Sequence, residues 1–151
     1  MKVSLIITTY NWPGALRLSL MSAASQTRIP DEVIVADDGS GEETRTLIAD
    51  MAKTFPCRLK HAWQEDKGFR AAESRNNALR QCEGDYVIFI DGDIIMDRHF
   101  VEDHENMAEE GYYVIGSRAR VDEWKTQKLI ARKSIHLRWY SPGVYQRMNA
   151  M

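Results

Sequence analysis

Strand-length apolar runs recur along the chain at VSLII (3–7), EVIVA (32–36), DYVIFI (85–90) and YYVIG (112–116), with a weaker one, RLKHAW (58–63), between the second and third. Runs of this kind, without strict alternation, predict strands buried on both faces. The segments between them carry a helical period. Leu16, Leu20 and Ala23 share one face of residues 15–24, and Leu47, Ile48, Met51 and Phe55 make a stripe over 42–55. Ser40 and Glu43 have capping-box spacing at the start of that second segment. Residues 71–82 and 97–109 are also predicted helical, the latter capped by Asp97. The order β-α-β-α-β-α-β-α-β predicts the α/β class, a mostly parallel, doubly wound sheet with helices on both faces.

In such sheets ligands bind beyond the carboxyl ends of the strands, so the chemistry is expected in the loops that follow them. Three of these loops are informative: TTYN (8–11), DDGS (37–40) and DGD (91–93). Asp91 and Asp93 come at the mouth of an apolar strand, where an ionised carboxylate is costly unless a cation or donors meet it. The plain alternative is a strand end and a turn cap. Three polar loops along one sheet edge favour a site. Asp37 and Asp38 open a predicted helix; one acid suffices for a cap, and a second can accept from the N–H or hydroxyl groups of a nucleobase or ribose. Thr8 and Tyr10 leave the first strand, and a tyrosine there can stack on a flat ring.

Around the start of the third predicted helix, QEDKGFRAAESRNN (64–77) sets Lys67, Gly68, Arg70 and Arg75. Helix N-termini with Arg or Lys beside them favour phosphates. A metal bridging Asp93 to a diphosphate would balance the charges. Mg²⁺ or Mn²⁺ suits one or two carboxylates plus phosphate oxygens and water, whereas zinc prefers His or Cys that this loop lacks.

At 151 residues and 44% hydrophobic, the chain suits one domain, and a formal charge of -2 with pI near 6.1 gives no reason to expect nucleic acid as a partner. The charge is uneven. Residues 118–151 hold eight Lys or Arg against two acids, leaving 12 basic and 20 acidic side chains in residues 1–117. Residues 1–117 are therefore read as the core, and 118–151 as a basic, aromatic segment with a weak helical pattern broken at Ser141-Pro142-Gly143. That segment would contact an anionic membrane surface or a lipid-linked acceptor, or form a surface helix whose cover lies outside this chain. Cys57 and Cys82 form no CxxC and are expected as buried, reduced thiols. The N-terminus reads as a strand rather than a signal peptide, and no apolar stretch approaches the roughly 18 residues that span a bilayer. A cytoplasmic, membrane-peripheral location is the expectation, with association into oligomers if apolar surface is left uncovered.

With TTYN, DDGS, GFRAAESRNNAL and DGD in this order, the chain resembles the family 2 glycosyltransferases over about residues 2–117. The resemblance implies the Rossmann-like GT-A fold and an inverting enzyme that uses a nucleotide-diphosphate sugar, commonly a UDP-sugar, with Mg²⁺ or Mn²⁺. It maps nucleotide contacts onto Thr8, Tyr10, Asp37 and Asp38, the family's arginine onto Arg75, and its DxD onto Asp91 and Asp93, with Asp93 as the metal ligand. The acceptor would be a glycan or a lipid-linked molecule. One departure matters. The family's base is usually an Asp of an ED-type motif after the DxD half, yet 58 residues follow Asp93 and the only acids after residue 117 are Asp122 and Glu123, in no such motif. No base is assigned, and the chain reads as a donor-binding half. The alternatives are a nucleotide-sugar-binding module without turnover and, more distantly, a haloacid-dehalogenase-type phosphohydrolase, whose DxD would come earlier and be followed by an acidic pair. A dinucleotide-binding module would need GxGxxG after the first strand, which is missing.

Overall fold

The computed structural model describes residues 1–138 and 140–146. Strands β1 (Val3–Thr9), β2 (Glu32–Asp37), β3 (Arg58–Trp63) and β4 (Tyr86–Asp91) form a parallel sheet in the order β3-β2-β1-β4. Helices α1 (Pro13–Ala24), α2 (Glu42–Ala52), α3 (Ala71–Leu79) and α4 (Phe100–Met107) fill the connections. β1 and β2 lie inside the sheet, and every residue of β2 is buried. This accounts for their unbroken apolar runs, since each face needs its own cover.

Strand periodicity sorts the core into two clusters. Val3, Leu5, Ile7, Val33 and Val35 pack with Leu16 and Leu20 of α1, Leu47 and Ile48 of α2, and Val101 of α4. Ile6, Ile34 and Ala36 pack on the other face with Ala62 of β3 and Ala78 of α3. Each fully buried Leu or Ile contributes about 1.5–3 kcal/mol. Small residues on the second face let α3 lie close to the sheet, where its first turn meets the ends of β1 and β2. Cys57 and Cys82 are free and half-buried, and burial pushes the Cys57 thiol up to about 11.

Three local expectations are corrected. YYVIG forms no strand: Tyr112, Tyr113 and Ile115 are exposed, because a β-prone run becomes a strand only where an edge pairs with it. The capping box at Ser40 and Glu43 does not form. Gly41 stands at the N-cap, and the Ser40 hydroxyl instead accepts from Asn11 N–H at 2.8 Å. Asp97 does not cap α4, which begins at Phe100; its carboxylate accepts from His99 N–H at 2.9 Å in a local turn.

The basic segment folds locally. β5 (Ala119–Val121) pairs antiparallel with β6 (Val144–Gln146), and α5 (Glu123–Arg132) lies between them. The Asp122 carboxylate caps α5 by accepting from Lys125 N–H at 3.3 Å. Ile130 of α5 sits against Gly14 of α1, where an added Cβ would come within 2.9 Å of its Cγ2. Trp139 and residues 147–151, part of the segment read as a membrane or acceptor contact, lie outside the described residues. Among the described residues no helix is long and apolar enough to cross a membrane.

Candidate functional site

Parallel register brings the informative loops level with one another. Thr9 pairs with Asp37, Thr8 with Asp91, and Asp37 with Trp63. The strands therefore end at one edge, around a cleft of about 430 Å³ whose lining includes Thr8, Tyr10, Trp12, Asp38, Phe69, Ser74, Arg75, Asp91 and Asp93. Asp37 and Lys67 do not line it.

The two aspartates of DDGS part company because successive side chains alternate across a strand. Asp37 continues the Val33 and Val35 face and is fully buried. Its carboxylate accepts from Ser40 N–H at 2.8 Å and pairs with His61 Nε2 at 2.7 Å. Asp38 reaches the cleft. Its two oxygens accept from Gln64 Nε2 and from Arg70 N–H, each at 2.7 Å, and Gln64 in turn accepts from Asn77 Nδ2 at 2.6 Å. Gly39 makes the turn at φ +100°, and a Cβ there would stand 2.5 Å from Asp66 Cα. On the first loop, Gly41 N–H donates to Asn11 Oδ1 at 2.9 Å, tying TTYN to DDGS. The Tyr10 hydroxyl donates to Asp66 at 3.0 Å, and that carboxylate raises the phenol's pKa.

At the end of β4, Asp91 Oδ1 accepts from Arg75 Nη2 at 2.9 Å and from Thr8 Oγ1 at 3.1 Å. This pair is solvent-exposed, so its value is orientation more than stability. Gly92 lets the chain pass over β1, where a Cβ would come within 2.4 Å of the Thr8 carbonyl oxygen. Asp93, one residue on, is exposed in the cleft and makes no side-chain hydrogen bond or ion pair among the described residues. No group of three or more His, Cys, Asp or Glu that could hold a metal is present among the described residues. Oxygen ligands without a protein cage suit a hard divalent ion completed by phosphate oxygens and water.

Lys67 pairs with Glu65 at 2.8 Å on the surface. Of the two late acids, Asp122 serves as the α5 cap through one of its oxygens. His99 stands at the N-cap of α4 and His104 within the helix, where it lies between Tyr86 and Phe100. The sequence reading missed His61, Gln64, Ser74 and Asn77. For His61 and Gln64 a signal was available, since they are the residues of β3 and its exit that parallel pairing must set beside the end of β2.

Burial alone would push the Asp37 carboxyl up, but the hydrogen bonds from His61 and Ser40 outweigh it and hold the group below its ordinary range. A lowered folded pKa contributes stability that is fully present above the unfolded value, near 4, and is lost as pH falls through the folded one. Urea midpoints should therefore fall for wild type between about pH 5 and about pH 3, and the Asp37→Asn variant should lose less over that interval. An equal loss in both proteins would mean that Asp37 is not a source of the acid limb.

The sheet order, the level strand ends and the DxD turn in the cleft define the GT-A class of α/β fold. A solved mannosyltransferase of Pyrobaculum calidifontis, in complex with GDP-Man and Mn²⁺, superposes with TM-score 0.64 at 26% identity over 72% of this chain and 33% of that one. Staphylococcus aureus TarS 1–349 in complex with UDP gives TM-score 0.58 at 29% identity over 70% of this chain and 31% of that one. The hyaluronan synthase of Pasteurella multocida is 32% identical over 123 residues, 80% of this chain and 12% of its own length. The family described as Glycosyl transferase family 2 matches residues 4–150. The chain belongs to that family. The match runs past residue 117 through most of the basic segment, further than the motifs alone indicated. The chain spans a third or less of each of these three proteins. Membership sets aside the phosphohydrolase alternative, and relatives named as synthases do not favour a module without turnover.

Proposed function

We propose that the cleft binds a nucleotide-diphosphate sugar, commonly a UDP-sugar, and that the chain is the donor-binding part of a metal-dependent, inverting glycosyltransferase. The acceptor is a glycan or a lipid-linked molecule. The observation that carries this reading is Asp93, a carboxylate exposed in the cleft with no hydrogen-bond or ion-pair partner among the described residues, beside an Asp91 already paired with Arg75. The complexes of the two solved relatives with UDP and with GDP-Man and Mn²⁺ support it.

In this reading Tyr10, Trp12 and Phe69 wall the nucleoside, Asp38 accepts from it, and Arg75 faces the diphosphate. Asp93 holds the divalent ion, Mn²⁺ or Mg²⁺, which when bound supplies Lewis-acid stabilisation of charge on the leaving diphosphate. Thr8 and Asp91 fix Arg75 so that it need not reorganise as that charge develops. An acceptor hydroxyl, losing its proton to a general base supplied by the acceptor-binding part, attacks the anomeric carbon on the side opposite the departing nucleoside diphosphate, which inverts the centre. Asp37 acts one step removed, holding the Asp38 loop through Ser40 and His61. The basic segment fits a cytoplasmic protein that touches an anionic membrane surface.

Calorimetric titration of UDP into the protein, with Mn²⁺ and then with EDTA, tests the reading. Binding is expected with the metal and should be weakened strongly by EDTA. Equal binding in both would remove the metal from the site, and silence of UDP, GDP and dTDP alike would overturn the donor-site reading.

A further inference from the structure

Behind Asp38 a chain of hydrogen bonds runs away from the cleft to the far end of α3. Arg80 Nη1 donates to Asn77 Oδ1 at 2.7 Å, Asn77 Nδ2 donates to Gln64 Oε1 at 2.6 Å, and Gln64 Nε2 donates to Asp38 Oδ1 at 2.7 Å. Asn77 and the C-cap residue Arg80 have the spacing that makes neighbours on one helix face. Asp38 belongs to the cleft lining, whereas Gln64, Asn77 and Arg80 do not. A side-chain amide can turn either its oxygen or its nitrogen toward a neighbour. Here the two ends of the chain remove that freedom. A guanidinium only donates and an ionised carboxylate only accepts, so the sense of both amides is fixed from either end.

The main chains on each side are already anchored. Asp38 N–H donates to the Thr9 carbonyl and Gln64 N–H to the Asp37 carbonyl, each at 3.1 Å. What remains to be held is the Asp38 carboxylate. One of its oxygens accepts from Arg70 N–H, a backbone donor that cannot turn over, and the other depends on the Gln64 amide. If that amide reversed, its oxygen would face Asp38 Oδ1, acceptor against acceptor, and the carboxylate would have to rotate. Gln64 is 9% exposed, so water is a poor substitute for the lost donor. We propose that Asn77 is a positioning residue of the donor site, keeping the Gln64 amide turned so that the Asp38 carboxylate is held toward the cleft. Arg80 sets the sense of Asn77. The inference rests on the reading of the cleft as a nucleotide-sugar site in which Asp38 accepts from the nucleoside. Asn77 stands outside that cleft and acts through Gln64, so what matters is its N–H donor and not its bulk.

The test is calorimetry with Mn²⁺ on the full chain and on Asn77→Asp and Asn77→Ala, using UDP, GDP and the base-free ribose 5-diphosphate, with urea unfolding to show that each protein is folded. Asn77→Asp keeps the volume and the contact with Arg80 but offers Gln64 only acceptors, which drives the amide to turn over. It should bind the tighter of the two nucleotides about 10-fold or more weakly, as for loss of a hydrogen bond to a charged group. Asn77→Ala removes the donor without opposing the amide, whose nitrogen can still meet Asp38, and the loss should be about 2- to 5-fold. Binding of ribose 5-diphosphate should not change in either variant. The order of the two losses separates positioning from packing, because a residue valued only for its bulk loses more on truncation than on isosteric exchange. Nucleotide affinity unchanged in both variants, a loss in Asn77→Ala that equals or exceeds that in Asn77→Asp, or an equal loss for the base-free ligand would each overturn the role of Asn77 while leaving the donor site standing. If Asn77→Asp does not fold, Asn77→Ala decides alone: a loss confined to the nucleotide supports the role, and unchanged affinity overturns it. Wild type that binds neither UDP nor GDP would overturn the donor-site reading and the role of Asn77 with it.

Discussion

Asp93→Ala should reduce UDP affinity in the presence of Mn²⁺ to the level seen in EDTA, a loss of more than about 100-fold, since changing even a residue behind a metal ligand typically costs 10–100-fold. The side chain is exposed and makes no hydrogen bond or ion pair among the described residues, so its removal takes nothing from the fold. The unfolding midpoint should stay within about 0.5 kcal/mol of wild type, as for surface substitutions away from special features. The two readouts together isolate the metal role: a variant that is stable and binds UDP without responding to Mn²⁺ is the expected outcome. Retention of metal-dependent binding would move the ligand role away from Asp93, and Asp91 would be next in line. Asp91 is less able to serve, because one of its oxygens already accepts from both Arg75 and Thr8.

Gly39→Ala should cost about 2–5 kcal/mol, combining strain at a disfavoured backbone conformation with overpacking against a rigid neighbour. The backbone stands at φ +100°, and the added Cβ would meet Asp66 at its Cα, Cβ and backbone N, all within 2.6 Å. Backbone atoms cannot rotate aside as a flexible side chain would. The loop after β3 would have to move, and with it the Tyr10 contact to Asp66 and the Gln64 contact to Asp38. Nucleotide binding should fall along with stability. Gly68→Ala supplies the comparison, since it has φ +85° and nothing within 4 Å of the added Cβ. It should carry only the conformational part, about 1–2 kcal/mol. Urea unfolding of the two variants separates strain from collision, and equal losses would show that the Asp66 contact is not the limiting one.

Much of the architecture was legible before any coordinates. The runs at 3–7, 32–36, 58–63 and 85–90 are strands in the structure, each extending at most a residue or two beyond its apolar stretch. β1 and β2 are legible because burial on both faces demands continuous apolar chain, and that demand is written locally, whereas β3 and β4 lie at the sheet edges and are only partly buried, Phe89 among their exposed residues. YYVIG carries the same local signal and fails, because pairing is a property of the neighbouring edge and not of the run itself. The capping box fails for a similar reason. Ser40 had a competing partner, Asn11 N–H, 29 residues away in the chain and adjacent in space.

The site divides along the same line. Residue types and their order, TTYN, DDGS, DGD and an arginine-bearing helix, pointed to a cleft for a diphosphate and a hard cation without a structure. Side-chain assignments within that cleft did not follow. Asp37 and Asp38 are chemically alike, and the strand's alternation sends one into the core with His61 and the other to the cleft with Gln64. Lys67 and Arg75 are both cations near a helix start. One is spent on Glu65 at the surface, and the other is held by Asp91 across the sheet edge. The local order of polar and apolar residues is enough to decide strands, helices and which loops meet at one edge, because those depend on burial and periodicity along the chain. Which carboxylate is left free among the described residues and which cation faces the cleft are decided only by the register and packing of elements distant in sequence, since a hydrogen bond depends on where its partner ends up in space.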